Sequence, residues 1–288
     1  MSNLTKYHLG LTGWSLPEWV GTFFREQTKP ADFLPQYASV FNTVEGNTTF
    51  YNTPSRELVK QWGEKTPPDF KFCFKFPKEF THIRRLHNVK HDVLLFLDVF
   101  ESIREKLGPF FIQFPDTFGP DELFRLEEVL SYLPKNLSYA VEVRHPDFFD
   151  HGKNEHSLNT LLSSFSVDRV IFDTRKLFAT KTDVRSIREA QQKKPKVPVR
   201  FDAIGSRPFV RYVGTNDILN NEAYLKEWAI VVADWIKEGL HPYVFIHTPD
   251  RISQPNMATH FHKLLSELIP IEPLPQWPVK REQQLGLF

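Results

Sequence analysis

Eight short apolar runs, each followed by a longer polar or amphipathic stretch, are the feature that most restricts how this chain can fold. The runs cover residues 8–14, 43–50, 71–76, 110–115, 139–145, 169–175, 209–214 and 243–249. Alternation of strand and helix repeated eight times is the pattern of a parallel α/β barrel. We therefore predict a single (β/α)8 TIM-type barrel.

The stretches between the runs have helical periodicity. The clearest is 221–239, where Leu225, Trp228, Val232 and Trp235 recur at spacings of three and four residues. No polar linker interrupts the middle of the 288-residue chain, so we predict one barrel domain over 1–270. Only residues 175–208 are too long for a simple connection, and loops of that length are often functional or mobile.

Composition excludes several classes of protein. A net charge of +1 excludes a strongly basic protein, and the single cysteine, Cys73, leaves no internal disulfide, which fits a reducing cytoplasm. The first ten residues do not resemble a signal peptide, and no run approaches the roughly 18 apolar residues that a membrane span requires. We expect a cytoplasmic protein that does not associate with membranes.

Polar residues interrupt the predicted strands near their carboxyl ends. Alternate residues of a strand face opposite sides, so Glu45 and Asn47 oppose Val44 and Gly46. The same reasoning predicts that seven strands direct polar side chains into one mouth of the barrel, where such folds hold their sites. These residues are Glu45, Asn47, Lys75, Gln113, Glu142, Arg144, Asp173, Arg211 and His247, and Trp14 ends the first strand.

These charges allow two interpretations. Buried charges must be paired whether or not they are functional, so a pair such as Glu142 and Arg144 alone could be structural. Convergence of seven strands on one mouth favours a functional pocket.

The residue types in the pocket favour an anionic ligand. Lysine and arginine bind carboxylate or phosphate oxygens, and carboxylates or histidine can act as bases. We assign catalytic roles to Glu45, Lys75, Glu142, Arg144 and Asp173. We assign substrate binding to Trp14, Asn47, Tyr51, Thr81, His82, Gln113, Arg211 and His247.

A metal site is left open and is not favoured, and no cofactor is assigned. Carboxylates and His247 at the strand ends could hold a divalent ion, but the interleaved cations compete for those carboxylates. The sequence contains no HExxH motif, no paired-cysteine spacing and no GxxxxGK[ST] phosphate loop.

Five ordered motifs closely resemble the YecE-like family, known as domain of unknown function 72. They are GLTGWSLPEWVGTFF, FNTVEGNTTFYNTP, FKFCFKFPKEFTH, LGPFFIQFPDTF and YAVEVRHPDFF, and the resemblance extends to about residue 269. It implies a TIM-type barrel and no particular reaction. The seventh strand matches at Arg211 and Gly214, whereas HTPDR on the last strand departs from the family's asparagine-like position. The matching motif residues before them are Trp14, Glu45, Asn47, Phe50, Tyr51, Lys75, Thr81, His82, Gln113, Glu142 and Arg144.

The proline-rich segment 271–288 is predicted to leave the domain as an extended tail. Its last five residues, QLGLF, are similar to the peptide with which bacterial DNA polymerases and repair proteins bind the sliding clamp. Gln284, Leu285, Leu287 and Phe288 would make that contact. Alternatively, Leu287 and Phe288 pack on the chain's own domain.

Three functions remain open from the sequence. The leading one is an enzyme that hydrolyses a phosphoester in an anionic small molecule or nucleic acid, with the basic residues of 175–200 and 81–91 forming a phosphate-binding rim. The second is an isomerase or lyase for a sugar acid or sugar phosphate. The third is a non-catalytic module that the sliding clamp recruits.

Overall fold

Eight parallel strands form the centre of the protein in a computed structural model that describes residues 7–280. This confirms the predicted TIM-type barrel and its eight strands. The strands are β1 (His8–Leu11), β2 (Thr43–Gly46), β3 (Lys71–Phe74), β4 (Phe110–Gln113), β5 (Tyr139–Glu142), β6 (Asp168–Asp173), β7 (Phe209–Val213) and β8 (Tyr243–His247).

Helices surround the strands. They are α1 (Phe33–Ala38), α2 (Arg56–Glu64), α3 (Lys90–Asp98), α4 (Leu123–Tyr132), α5 (Lys153–Ser164), α6 (Arg175–Ala179), α7 (Arg185–Lys193), α8 (Ile218–Lys237) and α9 (Gln254–Ser266). Short 3-10 turns and one π-helix, Glu79–Ile83, lie between them.

The barrel is nearly closed. The strand order is β3-β2-β1-β8-β7-β6-β5-β4, so β3 and β4 are the two edges. Two backbone hydrogen bonds join these edges, from Phe76 N to Phe111 O at 3.0 Å and from Gly108 N to Phe72 O at 2.8 Å. Closure brings the carboxyl ends of all eight strands to one mouth.

Alternation along the strands produces two apolar layers. Outward residues such as Val44, Phe72 and Val141 pack under the helices, where α8 contributes the buried Leu225 and Trp228 as predicted. Inside the barrel, an apolar plug fills the end opposite the mouth. Its members are Cys73, Phe111, Ala140, Val170, Phe209, Tyr243 and Phe245. The inward polar residues lie above this plug.

The local sequence explains where α2 and α8 begin and how β1 can lie close to β2. Ser55 caps α2 by accepting a hydrogen bond from Leu58 N at 3.2 Å, and Asp217 caps α8 by accepting one from Asn220 N at 3.0 Å. A Cβ atom on Gly10 would lie 2.2 Å from Thr43 O. Glycine is therefore required where β1 approaches β2.

Residues 175–208, which we call the cap segment, contain α6 and α7 and lie beside the mouth. Leu177, Ile187 and Ala190 are buried against Phe172 and Val213 of the barrel. The end of the segment is fixed by Arg200, which bonds Glu155 at 2.8 Å and Phe149 O at 2.8 Å. The cap segment is thus packed on the barrel.

Residues 271–280 also pack on the barrel, which differs from the predicted extended tail. Ile271, Leu274 and Trp277 contact the core, and the Trp277 ring lies 5.3 Å from that of Phe23. Aromatic and aliphatic side chains within the proline-rich stretch explain this, because they bury apolar area against the domain. The predicted clamp-binding residues Gln284, Leu285, Leu287 and Phe288 lie outside the described residues. Within 7–280, no helix is long and apolar enough to cross a membrane.

Candidate active site at the barrel mouth

A cavity of about 760 Å³ opens at the carboxyl ends of the strands. Its walls come from strand ends, from the loops after β1, β2, β3 and β8, and from α7 of the cap segment. Among its lining residues are the predicted Trp14, Glu45, Asn47, Tyr51, Lys75, His82, Gln113, Arg144, Arg211 and His247. Glu142 lies just beneath the surface of the cavity, bonded to two of these residues.

Arg211 is the centre of the buried charge network. Its Nε and Nη2 donate to the two oxygens of Glu45, at 2.7 and 2.8 Å, and its Nη1 donates to Glu142. The guanidinium lies over Phe111 and Phe172, at 5.3 and 5.0 Å from the ring centroids. A planar guanidinium with five donors can satisfy two carboxylates at once, which an ammonium cannot.

Three further residues complete the hydrogen bonding of the two carboxylates. Arg144 Nε donates to Glu142 Oε1 at 2.7 Å, and Asn47 Nδ2 donates to Glu45 Oε1 at 2.7 Å. His247 Nε2 lies 3.2 Å from Glu45 Oε2. All four carboxylate oxygens therefore have partners, and the pair Glu142–Arg144 is one part of a larger network.

The network holds both carboxylates ionised. Burial alone would raise the pKa of Glu142, but Arg211 and Arg144 outweigh it and lower that pKa to about 2. Glu45 has the same balance, with Arg211 and His247 lowering its pKa well below the usual value. Burial also lowers the pKa of His247 to about 4, so we expect a neutral imidazole at neutral pH.

Lys75 differs from Arg144 and Arg211 because no carboxylate within 7–280 pairs with it. Its Nζ donates to Gln113 Oε1 at 2.6 Å and lies 3.7 Å from the Phe50 ring centroid. The residue is only 6% exposed. Burial, with the positive charge of Arg211, lowers the pKa of Lys75 to about 7. This ammonium can therefore gain or lose a proton near neutral pH.

His82 and Thr81 lie beside Lys75, in the π-helix Glu79–Ile83. His82 reaches the cavity, whereas Thr81 is buried behind it and bonds His82 Nδ1 at 2.8 Å. Burial and the charge of Lys75 lower the pKa of His82 to about 4. Thr81 thus orients a neutral imidazole and does not itself line the cavity.

The orientation predicted for Asp173 is wrong. Its carboxylate points out of the barrel, where it accepts hydrogen bonds from Trp228 Nε1 at 2.8 Å and from Arg175 Nη2 at 2.9 Å. Phe172 is the inward residue, stacked beneath Arg211. Side chains alternate along β6, so an inward Phe172 requires an outward Asp173. Asp173 secures the start of α6 and does not join the site.

Lys194 is a cavity residue that the sequence reasoning did not single out. It follows α7 directly and lines the cavity together with Ala190 and Ser186 of the cap segment. The available signal was its position four residues after Ala190 and seven after Ile187, on the buried face of α7. Burial and the charge of Arg211 lower the pKa of Lys194 to about 8.

Aromatic and cationic side chains form the rim. Trp14 stands edge-on to Trp62 at 5.2 Å, and Tyr51 is 74% exposed at the entrance. Arg251, in the loop after β8, lines the rim close to Gly13 and has a positive φ of 61°. A non-glycine residue in that region is strained, and such strain is concentrated at functional sites.

No group of three histidine, cysteine or carboxylate side chains within the described range is placed to hold a metal ion. The two inner carboxylates show why, since their oxygens are bonded to Arg211, Arg144, Asn47 and His247.

The fold and these strand-end residues can be compared with known proteins. Residues 8–279 match the family described as Protein of unknown function DUF72. The chain belongs to the DUF72 family. It is 38% identical to UPF0759 protein YecE of Escherichia coli (strain K12) over 98% of this chain and 99% of that protein.

Solved structures of DUF72 proteins share the fold. The crystal structure of a family protein from Thermotoga maritima MSB8 is 25% identical and covers 90% of this chain and 99% of its own, with a TM-score of 0.68. A second, from Enterococcus faecalis V583, is 19% identical and covers 91% of this chain and 98% of its own, also with a TM-score of 0.68. These structures support the barrel.

The basic segments around the mouth of this DUF72 protein are partly neutralised by internal pairs. In the cap segment, Glu189 pairs with Arg185 at 2.7 Å and with Lys193 at 3.6 Å. In the loop after β3, Arg84 pairs with Asp92 and Arg85 with Glu122. Much of the positive charge counted in the sequence therefore has a structural partner.

Proposed function

We propose that this protein is an enzyme that binds a small phosphate- or carboxylate-bearing substrate in the cavity and moves a proton with Lys75. The observation that carries the proposal is the pair of lysines, Lys75 and Lys194, that line the cavity without a carboxylate partner within 7–280. Glu45 and Glu142 are both bonded to arginine, so neither is free to neutralise the lysines. The cavity therefore retains an excess of positive charge that an anion would balance.

Lys75 is the group best suited to proton transfer. A general acid or base works best when its pKa is close to the operating pH, and the pKa of Lys75 is about 7. Glu142, with a pKa of about 2 and both oxygens occupied, is poorly suited to proton transfer. Glu45 is equally constrained. We therefore transfer the proton-transfer role from the carboxylates to Lys75, which is charged when an anion is bound and acts as a general acid, and Glu45 and Glu142 hold Arg211 and Arg144 in place.

Hydrolysis of a phosphoester stays our leading reaction. The neutral His82 would accept a proton from the attacking water as its oxygen bonds phosphorus. The charged Lys75 would donate a proton to the departing alcohol oxygen as the P–O bond breaks, and Arg144 would stabilise the negative charge that develops.

A second candidate is isomerisation or elimination in a sugar acid or sugar phosphate. Trp14 and the exposed Tyr51 at the rim favour it, because aromatic faces can pack on a sugar ring. The neutral His82 would then remove a proton from carbon, and the charged Lys75 would donate one to the carbonyl or leaving-group oxygen.

A nucleic-acid substrate receives less support. A protein that binds along the phosphates of a nucleic-acid strand requires unpaired cations on an open surface. Several cations of 81–91 and 175–200 are paired with acids instead. Recruitment by the sliding clamp through 284–288 stays a prediction of the sequence.

The test measures binding before reaction. Isothermal titration calorimetry of the full chain with inorganic phosphate and with acetate should show saturable binding that Lys75→Met abolishes. Lys60→Met, which removes an exposed lysine on α2, serves as the control and should bind as the wild type does. Release of phosphate from p-nitrophenyl phosphate then tests hydrolysis. Absence of binding to both anions, or equal binding by Lys75→Met, would refute the proposal. Tight, salt-dependent binding of single-stranded or abasic DNA by anisotropy would instead favour nucleic acid.

A further inference from the structure

We infer that Lys194 completes an anion subsite with Lys75 and Arg144, and that this subsite selects a phosphate dianion over a carboxylate. The inference rests on the proposed function and adds the group recognised within the substrate. Each cation comes from a different element: Lys75 follows β3, Arg144 follows β5, and Lys194 follows α7.

The backbone around Lys194 is held in place. Lys194 N donates to Ala190 O at 2.9 Å, which ends α7, and Thr174 Oγ1 donates to Pro195 O at 3.1 Å, which ties the next residue to the end of β6. Buried Ile187 and Ala190 anchor the same face of the helix. The position of Lys194 over the cavity is therefore set by packing and hydrogen bonds on both sides of it.

The Lys194 ammonium has no hydrogen-bond or ion-pair partner within residues 7–280, although the side chain is half-buried in the cavity. The nearest acid on its helix, Glu189, also lines the cavity, but its carboxylate is bonded to Arg185 at 2.7 Å and paired with Lys193 at 3.6 Å. Partial burial of an unpaired cation beside Arg144 and Arg211 costs free energy. Water solvates this ammonium only in part, and an anion bound in the cavity would supply the missing negative charge.

The number of donors favours phosphate. A carboxylate has two oxygens, and a single arginine fork can satisfy both. A phosphate group carries up to two negative charges and three acceptor oxygens. Three cations on three separate elements match three oxygens. The lower charge of a carboxylate would also leave one of the lysines uncompensated.

We expect the protein to take up protons when it binds the anion. In the empty cavity, burial and neighbouring cations hold the pKa of Lys75 at about 7 and that of Lys194 at about 8. A bound dianion favours the charged form of both lysines and raises both pKa values. At pH 8.5 we therefore expect the wild type to take up between about one and two protons on binding phosphate.

The experiment compares the full-length wild type with Lys194→Met and Lys194→Arg by calorimetry with inorganic phosphate and acetate. Lys181→Met, which removes an exposed lysine of the same segment, is the matched control. Loss of one charge-assisted contact should weaken phosphate binding at least about tenfold in Lys194→Met, with a smaller loss in Lys194→Arg. Acetate binding should change less than about threefold, and Lys181→Met should match the wild type.

Titrations at pH 8.5 in two buffers of different ionisation enthalpy count the protons, a quantity that a merely structural role would not change. Lys194→Met should take up about one proton fewer than the wild type. Equal phosphate affinity and proton uptake in wild type and Lys194→Met would overturn the inference and leave the proposed function standing. Equal losses for phosphate and acetate would overturn selection of a dianion. Absence of anion binding by the wild type would refute the proposed function itself.

Discussion

Replacement of Lys75 by methionine should stabilise the folded protein at pH 7 while abolishing anion binding. Methionine approximates the length of the lysine stem and fills the space beside Phe50 without a charge. Lys75 is 6% exposed, and its ammonium donates a hydrogen bond to Gln113 and lies over the Phe50 ring. Removal of a buried charge without a carboxylate partner should therefore relieve more free energy than the lost contacts supply.

The magnitude follows from the pKa. The pKa of Lys75 falls from its ordinary value of 10.5 to about 7 in the folded protein. At about 1.36 kcal/mol per pKa unit, the charged lysine costs about 4 kcal/mol at pH 7 and about 1 kcal/mol at pH 10. The unfolded chain binds the proton more tightly, so stability rises with pH between 7 and 10.5. Methionine also lacks the hydrogen bond that the neutral amine makes with Gln113, which removes about 1 kcal/mol. We expect a net gain of about 3 kcal/mol at pH 7 and almost no change near pH 10.

Urea unfolding of wild type and Lys75→Met at pH 7, 8, 9 and 10 measures this directly. The difference in unfolding free energy should shift by about 3 kcal/mol across that range, since other titrating groups are shared by both proteins. Lys60→Met, an exposed site, should show no such shift. A Lys75→Met difference that stays constant within about 1 kcal/mol would refute the claim that burial has lowered the pKa of Lys75.

Further changes test the rest of the site. Glu142→Gln leaves Arg211 and Arg144 short of a carboxylate, so it should lower the unfolding free energy by about 3 kcal/mol at pH 7, as measured in urea. Because the pKa of Glu142 is lowered to about 2, its contribution is present above pH 4.5 and lost as the pH falls towards 2, and Glu142→Gln should flatten that part of the wild-type profile. Phosphate affinity, expressed per dianion, should fall about tenfold from pH 7 to 8 as Lys75 and Lys194 lose protons, and a pH-independent affinity would contradict this. Deletion of 284–288 should abolish binding to a bacterial sliding clamp in a pull-down and leave phosphate affinity unchanged, whereas retained clamp binding would contradict the tail prediction.

Strand alternation was sufficient to predict most inward residues of the mouth. Glu45, Lys75, Gln113 and Arg211 were assigned from their phase along a strand, and the structure directs each into the cavity. The direction of the Asp173 side chain was predicted wrongly, because its polarity was taken as evidence that it points into the barrel. Inside the barrel, the Phe172 ring lies beneath the guanidinium of Arg211. On the outer face, the Asp173 carboxylate accepts hydrogen bonds from Arg175 and Trp228.

Other features depended on contacts that are distant in sequence. Lys194 was counted among the basic residues of 175–200. Its spacing from Ala190 and Ile187 placed it on the buried face of α7, but only the packing of α7 on the barrel decided that this face meets the cavity. Trp277 was read as part of a departing tail, yet it packs against Phe23. Both outcomes reflect apolar surfaces that find a partner only after the barrel has formed.

The sequence by itself determined the eightfold alternation, the barrel and most of the residues at its mouth. These follow from local rules, since backbone geometry fixes the direction of each side chain along a strand and places the strand ends on one face. Only the tertiary structure decided which charges neutralise one another. Arg211 satisfies Glu45, 166 positions away, and shares Glu142 with Arg144, which leaves Lys75 and Lys194 without a carboxylate among residues 7–280. Pairing depends on distances across the barrel and on the loss of water around each group, and neither is set by neighbours in the chain.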